Sequence, residues 1–97
     1  IPKVLYITGW EAEKEAEKTL QAKGYYLVRS AGSKGLVDLV ALKGKEVLLV
    51  QVKVVPHGIK SGFDKERKIF RDCEPLKGFK KEFWVKQKRN GWYILEV

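Results

Sequence analysis

The sequence predicts an α/β fold: a mixed sheet of five strands flanked by helices, forming one domain over residues 1–97. Three observations predict it. Apolar residues recur at helical spacing near the start of the chain. The run EVLLVQVKVV at 46–55 is almost continuously apolar, which marks a central strand buried on both faces. Read in order, the elements run α-β-β-β-α-β-β.

The first helix is expected over 8–23. Thr8 and Glu11 form a T-x-x-E capping box, and Gly24 is the stop. Trp10, Ala12, Ala16, Thr19 and Leu20 give it an inward stripe. A strand follows over 25–30 (YYLVRS), then a flexible turn at 31–35, where two glycines permit unusual backbone angles. A second strand is expected over 36–42, a tight turn at 43–45, and the apolar third strand over 46–55, ended by Pro56. Residues 57–62 form a polar loop containing His57. Ser61 and Asp64 suggest the next helix start, with Phe63, Arg67, Phe70 and Cys73 on one face and Pro75 at its end. Strands at 82–87 and 92–97 are joined by an Asn90-Gly91 turn.

With 97 residues and 44% hydrophobic content, the chain suits one small core. Its net charge is +8, and the excess lies after Gly24: in residues 1–24 four lysines balance four glutamates. That excess points to an acidic polymer as partner, although a solvated lysine-rich face would look the same. One cysteine excludes an internal disulfide and fits a reducing cytoplasm. Zinc-ligand spacing, an apolar run of membrane-spanning length and a signal peptide are all missing. With no methionine in the sequence, a few residues are expected to precede Ile1.

Two polar residues interrupt the buried third strand. Gln51 and Lys53 are two apart, so they share a face. Asp38 sits in the apolar segment LVDLV of the preceding strand. Burying an amide, an ammonium and a carboxylate in one sheet is costly unless they meet. The pattern D-x12-Q-x-K suits a divalent cation: Asp38, the Gln51 carbonyl and the main-chain carbonyl of Val52 would be ligands, and Lys53 would orient water or neutralise charge. A buried Asp–Lys pair bridged by Gln remains the alternative. Glu13 borders the inward stripe of the first helix, with Ala16 at i+3 and Leu20 at i+7, and would face Asp38; Glu11, Glu15 and Glu17 lie toward solvent.

The segments GWEAEKE, LQAKGYYLVRSAGSKGLVDLVA and QVK, with the closing GWYILEV, resemble the archaeal Holliday junction resolvases of the PD-(D/E)xK nuclease superfamily. The likeness covers residues 9–97. It implies a restriction-endonuclease-like fold and an Mg²⁺-dependent endodeoxyribonuclease, with Mn²⁺ as a substitute metal. It also implies a homodimer that nicks two opposed strands of a four-way junction in DNA recombination and repair. Glu13, Asp38, Gln51 and Lys53 take the family's active-site positions. Lys14, Arg29, Ser30, Ser33, Lys34, Lys60, Lys65 and Lys68 are the expected DNA contacts, with Arg29 on phosphate. The family's usual residue at position 51 is glutamate; glutamine keeps a carbonyl ligand and removes one charge. Gly35 and the early helix end at Pro75 are further departures.

Two rivals stay open: a related nuclease cutting other branched or foreign DNA, and a non-catalytic binder of DNA structures. The remaining cations of the last third, among them Arg67, Arg71, Lys77, Lys81 and Lys86, would form a phosphate track in which about half are idle. Trp84 and Trp92 are expected in the core.

Overall fold

The architecture is that of a computed structural model, which describes residues 9–30, 36–55, 63–87 and 91–97. Five strands form one sheet in the order β1-β2-β3-β4-β5. They are β1 (Tyr26–Arg29), β2 (Leu39–Lys43), β3 (Glu46–Val55), β4 (Lys80–Gln87) and β5 (Trp92–Glu96). Helix α1 (Gly9–Ala22) precedes β1, and α2 (Asp64–Asp72) with a short 3-10 turn (Glu74–Leu76) crosses from β3 to β4. The β1–β2, β2–β3 and β4–β5 pairs are antiparallel, and β3–β4 is parallel. The expected mixed sheet and element order are therefore observed, with β3 at the centre.

Burial explains why each face is covered. Ala12, Ala16 and Leu20 are the buried residues of α1. They pack on Leu39, Ala41, Leu48, Val50, Val52 and Trp84. Small alanines let the helix approach the sheet closely. On the opposite face Phe70, the buried residue of α2, joins Leu49, Phe83 and Val85. Trp84 and Trp92 meet edge-on, with ring centroids 5.3 Å apart, so both belong to the core as expected.

Several boundaries differ from the sequence reading. Trp10 is 58% exposed and leaves the inward stripe. The row Ala12, Ala16 and Leu20 faces the sheet, and Trp10 falls outside that row. Thr19 is half-buried and bonds the Glu15 carbonyl at 3.0 Å. Strand β2 begins at Leu39, so Asp38 sits just before it, although Asp38 N still donates to Val50 O at 2.9 Å. Strand β4 begins at Lys80, because parallel pairing with β3 extends to the Leu48↔Lys80 partners. Phe63 caps α2 from outside the helix, at φ 56, with its ring 5.2 Å from that of Phe83. Aromatic burial holds it in a left-handed conformation that a bulky residue otherwise avoids. Glu15 lies toward solvent as expected, its side chain 41% exposed, and also binds Lys86 at 2.6 Å. Gly24, at φ +96, closes α1 as expected: Gly24 N and Tyr25 N donate to the Gln21 and Leu20 carbonyls. The expected features at Thr8, the 31–35 turn, Pro56, His57, Ser61 and Asn90 lie outside the described residues.

Candidate active site

Strand parity decides where the polar intruders of β3 point. Leu48, Val50, Val52 and Val54 belong to the α1-side core; Val47, Leu49 and Val55 belong to the α2-side core. The same alternation turns Gln51 and Lys53 together toward the α2 side, in register with Phe83 and Val85 of β4. They share a face, as their spacing requires. Gln51 is buried, and Lys53 is half-buried.

Asp38 is fixed at the mouth of the β2–β3 ladder. Its carboxylate Oδ2 accepts the Val52 N–H at 2.7 Å. Its main-chain carbonyl takes the N–H of Ser30 at 3.0 Å, which ties the end of β1 to the same point. Burial pushes the Asp38 carboxyl above its ordinary value of 3.8; the Val52 N–H pulls it down, the negative charge of Glu13 pushes it up, and Lys53 pulls it down. Asp38 therefore lies within electrostatic reach of both Glu13 and Lys53.

Glu13 approaches from α1. Its Oε1 accepts Arg29 Nη2 at 3.1 Å, and both side chains are about a quarter exposed (24% and 28%). The guanidinium carbon of Arg29 also lies 5.8 Å from the centroid of the Trp10 ring, with Lys14 Nζ at 4.7 Å from that centroid. Glu13, from the α1 side of the sheet, and Lys53, on the α2 side, both act on Asp38 at the end of the ladder, so Asp38 is the residue that links them.

The donor set suits a hard cation. Gln51 Oε1 is buried and has no hydrogen-bond partner among the described residues. Leaving a buried carbonyl unpaired costs about 1–3 kcal/mol, and a divalent cation would supply the missing partner. A cation would also offset the burial that penalises ionised Asp38. Among the described residues no group of three or more His, Cys, Asp and Glu gathers as a metal cluster. The carboxylate acting on Asp38 is Glu13, and position 51 offers an amide oxygen in place of a carboxylate. Val52 meets Asp38 through its N–H, and its carbonyl remains an expected ligand.

The expected DNA contacts divide three ways. Lys14, Ser30, Lys65 and Lys68 are exposed. Arg29 is held by Glu13. Ser33, Lys34 and Lys60 lie outside the described residues. In the basic last third, Arg67, Arg71 and Lys77 pair with Asp64, Asp72 and Glu74. Lys81 is buried against the Phe79 carbonyl, and Lys86 is taken by Glu15. Those cations serve the fold's own charge balance. The sequence reading missed the Trp10–Lys14–Arg29 cluster. Its sequence signal was the i, i+4 spacing of Trp10 and Lys14.

Comparison with known proteins bears on the family and the fold. The family model for the archaeal Holliday junction resolvase (Hjc) matches residues 5–97. The crossover junction endodeoxyribonuclease Hjc of Methanocaldococcus jannaschii is 44% identical over 48 residues, which are 50% of this chain and 35% of that protein. The match thus spans about a third of the relative's length. The solved structure of Archaeoglobus fulgidus Hjc, a Holliday junction resolvase from an archaeal hyperthermophile, superimposes with a TM-score of 0.67 and 21% identity. That superposition covers 91% of this chain and 76% of the other, and it establishes the shared fold.

Proposed function

The chain belongs to the archaeal Holliday junction resolvase family, and from that membership we propose that it is a metal-dependent endodeoxyribonuclease that cuts four-way DNA junctions. The observation that carries the reading is the buried Gln51 carbonyl, unpartnered among the described residues, on the face it shares with Lys53, opposite Asp38. Asp38, Gln51, the Val52 carbonyl and Glu13 would hold Mg²⁺, with Mn²⁺ as a substitute. An ion held there would supply water activation and charge balance at the phosphate.

The chain's own residues supply the rest. Val52 N–H holds the Asp38 carboxylate in one orientation. Lys53 places an ammonium where negative charge builds up on the phosphoryl oxygens as water attacks. Arg29 steadies Glu13 in the free protein and is positioned to exchange that contact for a DNA phosphate. Ser30, Ser33, Lys34, Lys60, Lys65 and Lys68 complete the proposed contacts to the strand. Such contacts read backbone shape and leave the base sequence largely unread. A four-way junction has approximate two-fold symmetry, so two copies of the chain would make paired nicks. Ile69, Phe79, Tyr93 and Ile94 are exposed apolar side chains available to a second copy. No helix among the described residues is long and apolar enough to cross a membrane. We place the enzyme in the cytoplasm, where the free Cys73 thiol is at home.

The test is cleavage of a four-way junction, a flap and a linear duplex, each with Mg²⁺ and with Mn²⁺. Symmetric nicks near the crossover are expected on the junction. Lys53→Ala should lose about 10²–10³-fold in rate and still bind. Asp38→Ala should bind DNA without cutting, and it should lose the rise in Tm that Mg²⁺ gives wild type. The glutamine at position 51 favours one rival, a binder without activity. That rival wins if neither metal supports cutting of a junction that the protein binds. Preference for the flap or the duplex would instead mark a related nuclease.

A further inference from the structure

The first turn of α1 exposes a large aromatic side chain where ordinary packing offers no reason for it. Trp10 is 58% exposed, whereas Trp84 is buried and Trp92 is half-buried against it. Its ring is flanked by two cations, Lys14 Nζ at 4.7 Å and the Arg29 guanidinium at 5.8 Å from the centroid. Arg29 also binds Glu13, which acts electrostatically on Asp38. A chain of contacts therefore runs from the indole to the proposed metal ligands. Beside it lies a cleft of about 340 Å³ lined by Trp10, Glu11, Lys14, Glu15 and Lys18.

We propose that Trp10 is a stacking platform for one base of the DNA strand, unstacked at the branch point beside the cut phosphate. This rests on the nuclease reading above. The chemistry favours this occupant. An indole face accepts any base, and base–aromatic stacking tolerates every sequence. The two cations at the ring suit the phosphates on either side of that base. Bases at a branch point are more easily unstacked than those within a duplex, so the platform would select branched DNA over linear duplex. Trp10 touches the nucleic acid and takes no part in bond breaking.

The experiment is titration of wild type, Trp10→Phe and Trp10→Ala with a four-way junction and with linear duplex, in EDTA so that nothing is cut. Intrinsic fluorescence and a labelled-DNA binding assay are read together. Trp10→Ala removes an exposed side chain from a helix, so the fold should persist, and an unchanged melting curve checks that. Junction addition should quench wild-type emission, and Trp10→Phe should lose most of that quenching. Trp10→Ala should bind the junction about 5- to 150-fold more weakly, with Trp10→Phe close to wild type and duplex affinity unchanged in both. Equal loss for junction and duplex, or no loss with the junction, would overturn the platform while metal-dependent cutting by wild type still upheld the nuclease. Failure of wild type to bind or cut any branched DNA would end both readings.

Discussion

At the scale of single residues, Asp38 is a burden on the fold that the proposed metal site would relieve. Burial holds its carboxyl above 3.8 and Glu13 adds to that push, against the Val52 N–H and Lys53. A carboxyl with a raised folded pKa binds its proton more tightly in the folded state than in the unfolded state. Its contribution to stability is complete below the unfolded value and is lost as pH rises through the folded one. At neutral pH, ionised Asp38 therefore opposes folding when no metal is present. Asp38→Asn keeps an oxygen for the Val52 N–H and removes the charge. In EDTA its melting temperature should exceed that of wild type at pH 7, and the gap should close below about pH 3.8. Junction cleavage should fall by at least about 10²-fold in the same variant. An Asn variant that melts below wild type at neutral pH would show that the charge does not weigh on the fold. Gln51→Glu argues the same balance in reverse. It adds a second carboxylate opposite Asp38, so the metal-free protein should melt lower. Mn²⁺ affinity, measured by calorimetric titration, should rise by about tenfold or more, because charge count sets the affinity of oxygen-ligand sites. Unchanged affinity would mean that position 51 does not face the ion.

At the scale of elements, α2 depends on one anchor. Phe70 is its buried residue, set against Leu49, Phe83 and Val85, and the lysines Lys65 and Lys68 ride on the outer face. Phe70→Ala should cost about 3–5 kcal/mol in urea unfolding, a large part of the stability of so small a domain. A cost below about 1 kcal/mol would show that the helix is held in some other way. The elements legible in the sequence were those with one dominant cause. β3 was placed at Glu46–Val55 because its apolar run can satisfy only a central strand. The end of α1 followed from Gly24, the one residue type at ease at φ +96. What depended on partners distant in sequence was not legible. The early start of β4 comes from its parallel neighbour, and the exposure of Trp10 comes from its place outside the row of α1 that faces the sheet. The same division holds for the corner around Asp38. Period-two spacing placed Gln51 and Lys53 on one face. No local pattern announced that Arg29 would close on Glu13, or that Glu15 would close on Lys86.

At the scale of the whole molecule, a net charge of +8 overstates the surface available to DNA. Lys86 is bound to Glu15 at 2.6 Å and lies over the Trp92 ring, so its charge is spent within the fold. Arg71 and Lys77 pair with acidic neighbours, and Lys81 is buried. Lys65 and Lys68 are exposed on α2, and no carboxylate among the described residues forms a salt bridge with either. Counterion release distinguishes the two kinds of lysine. Each phosphate neutralised on duplex DNA adds about 0.9 to the log–log slope of affinity against salt. Junction affinity should therefore be measured between about 50 and 200 mM salt for wild type, for Lys65→Ala with Lys68→Ala, and for Lys86→Ala. The double variant should bind more weakly and show a slope shallower by about 1–2. Lys86→Ala should keep the wild-type slope and instead lose thermal stability, because it strands Glu15 and uncovers Trp92. A double variant with an unchanged slope would move the DNA track away from α2, leaving the corner formed by α1, β1 and Asp38 to carry the strand.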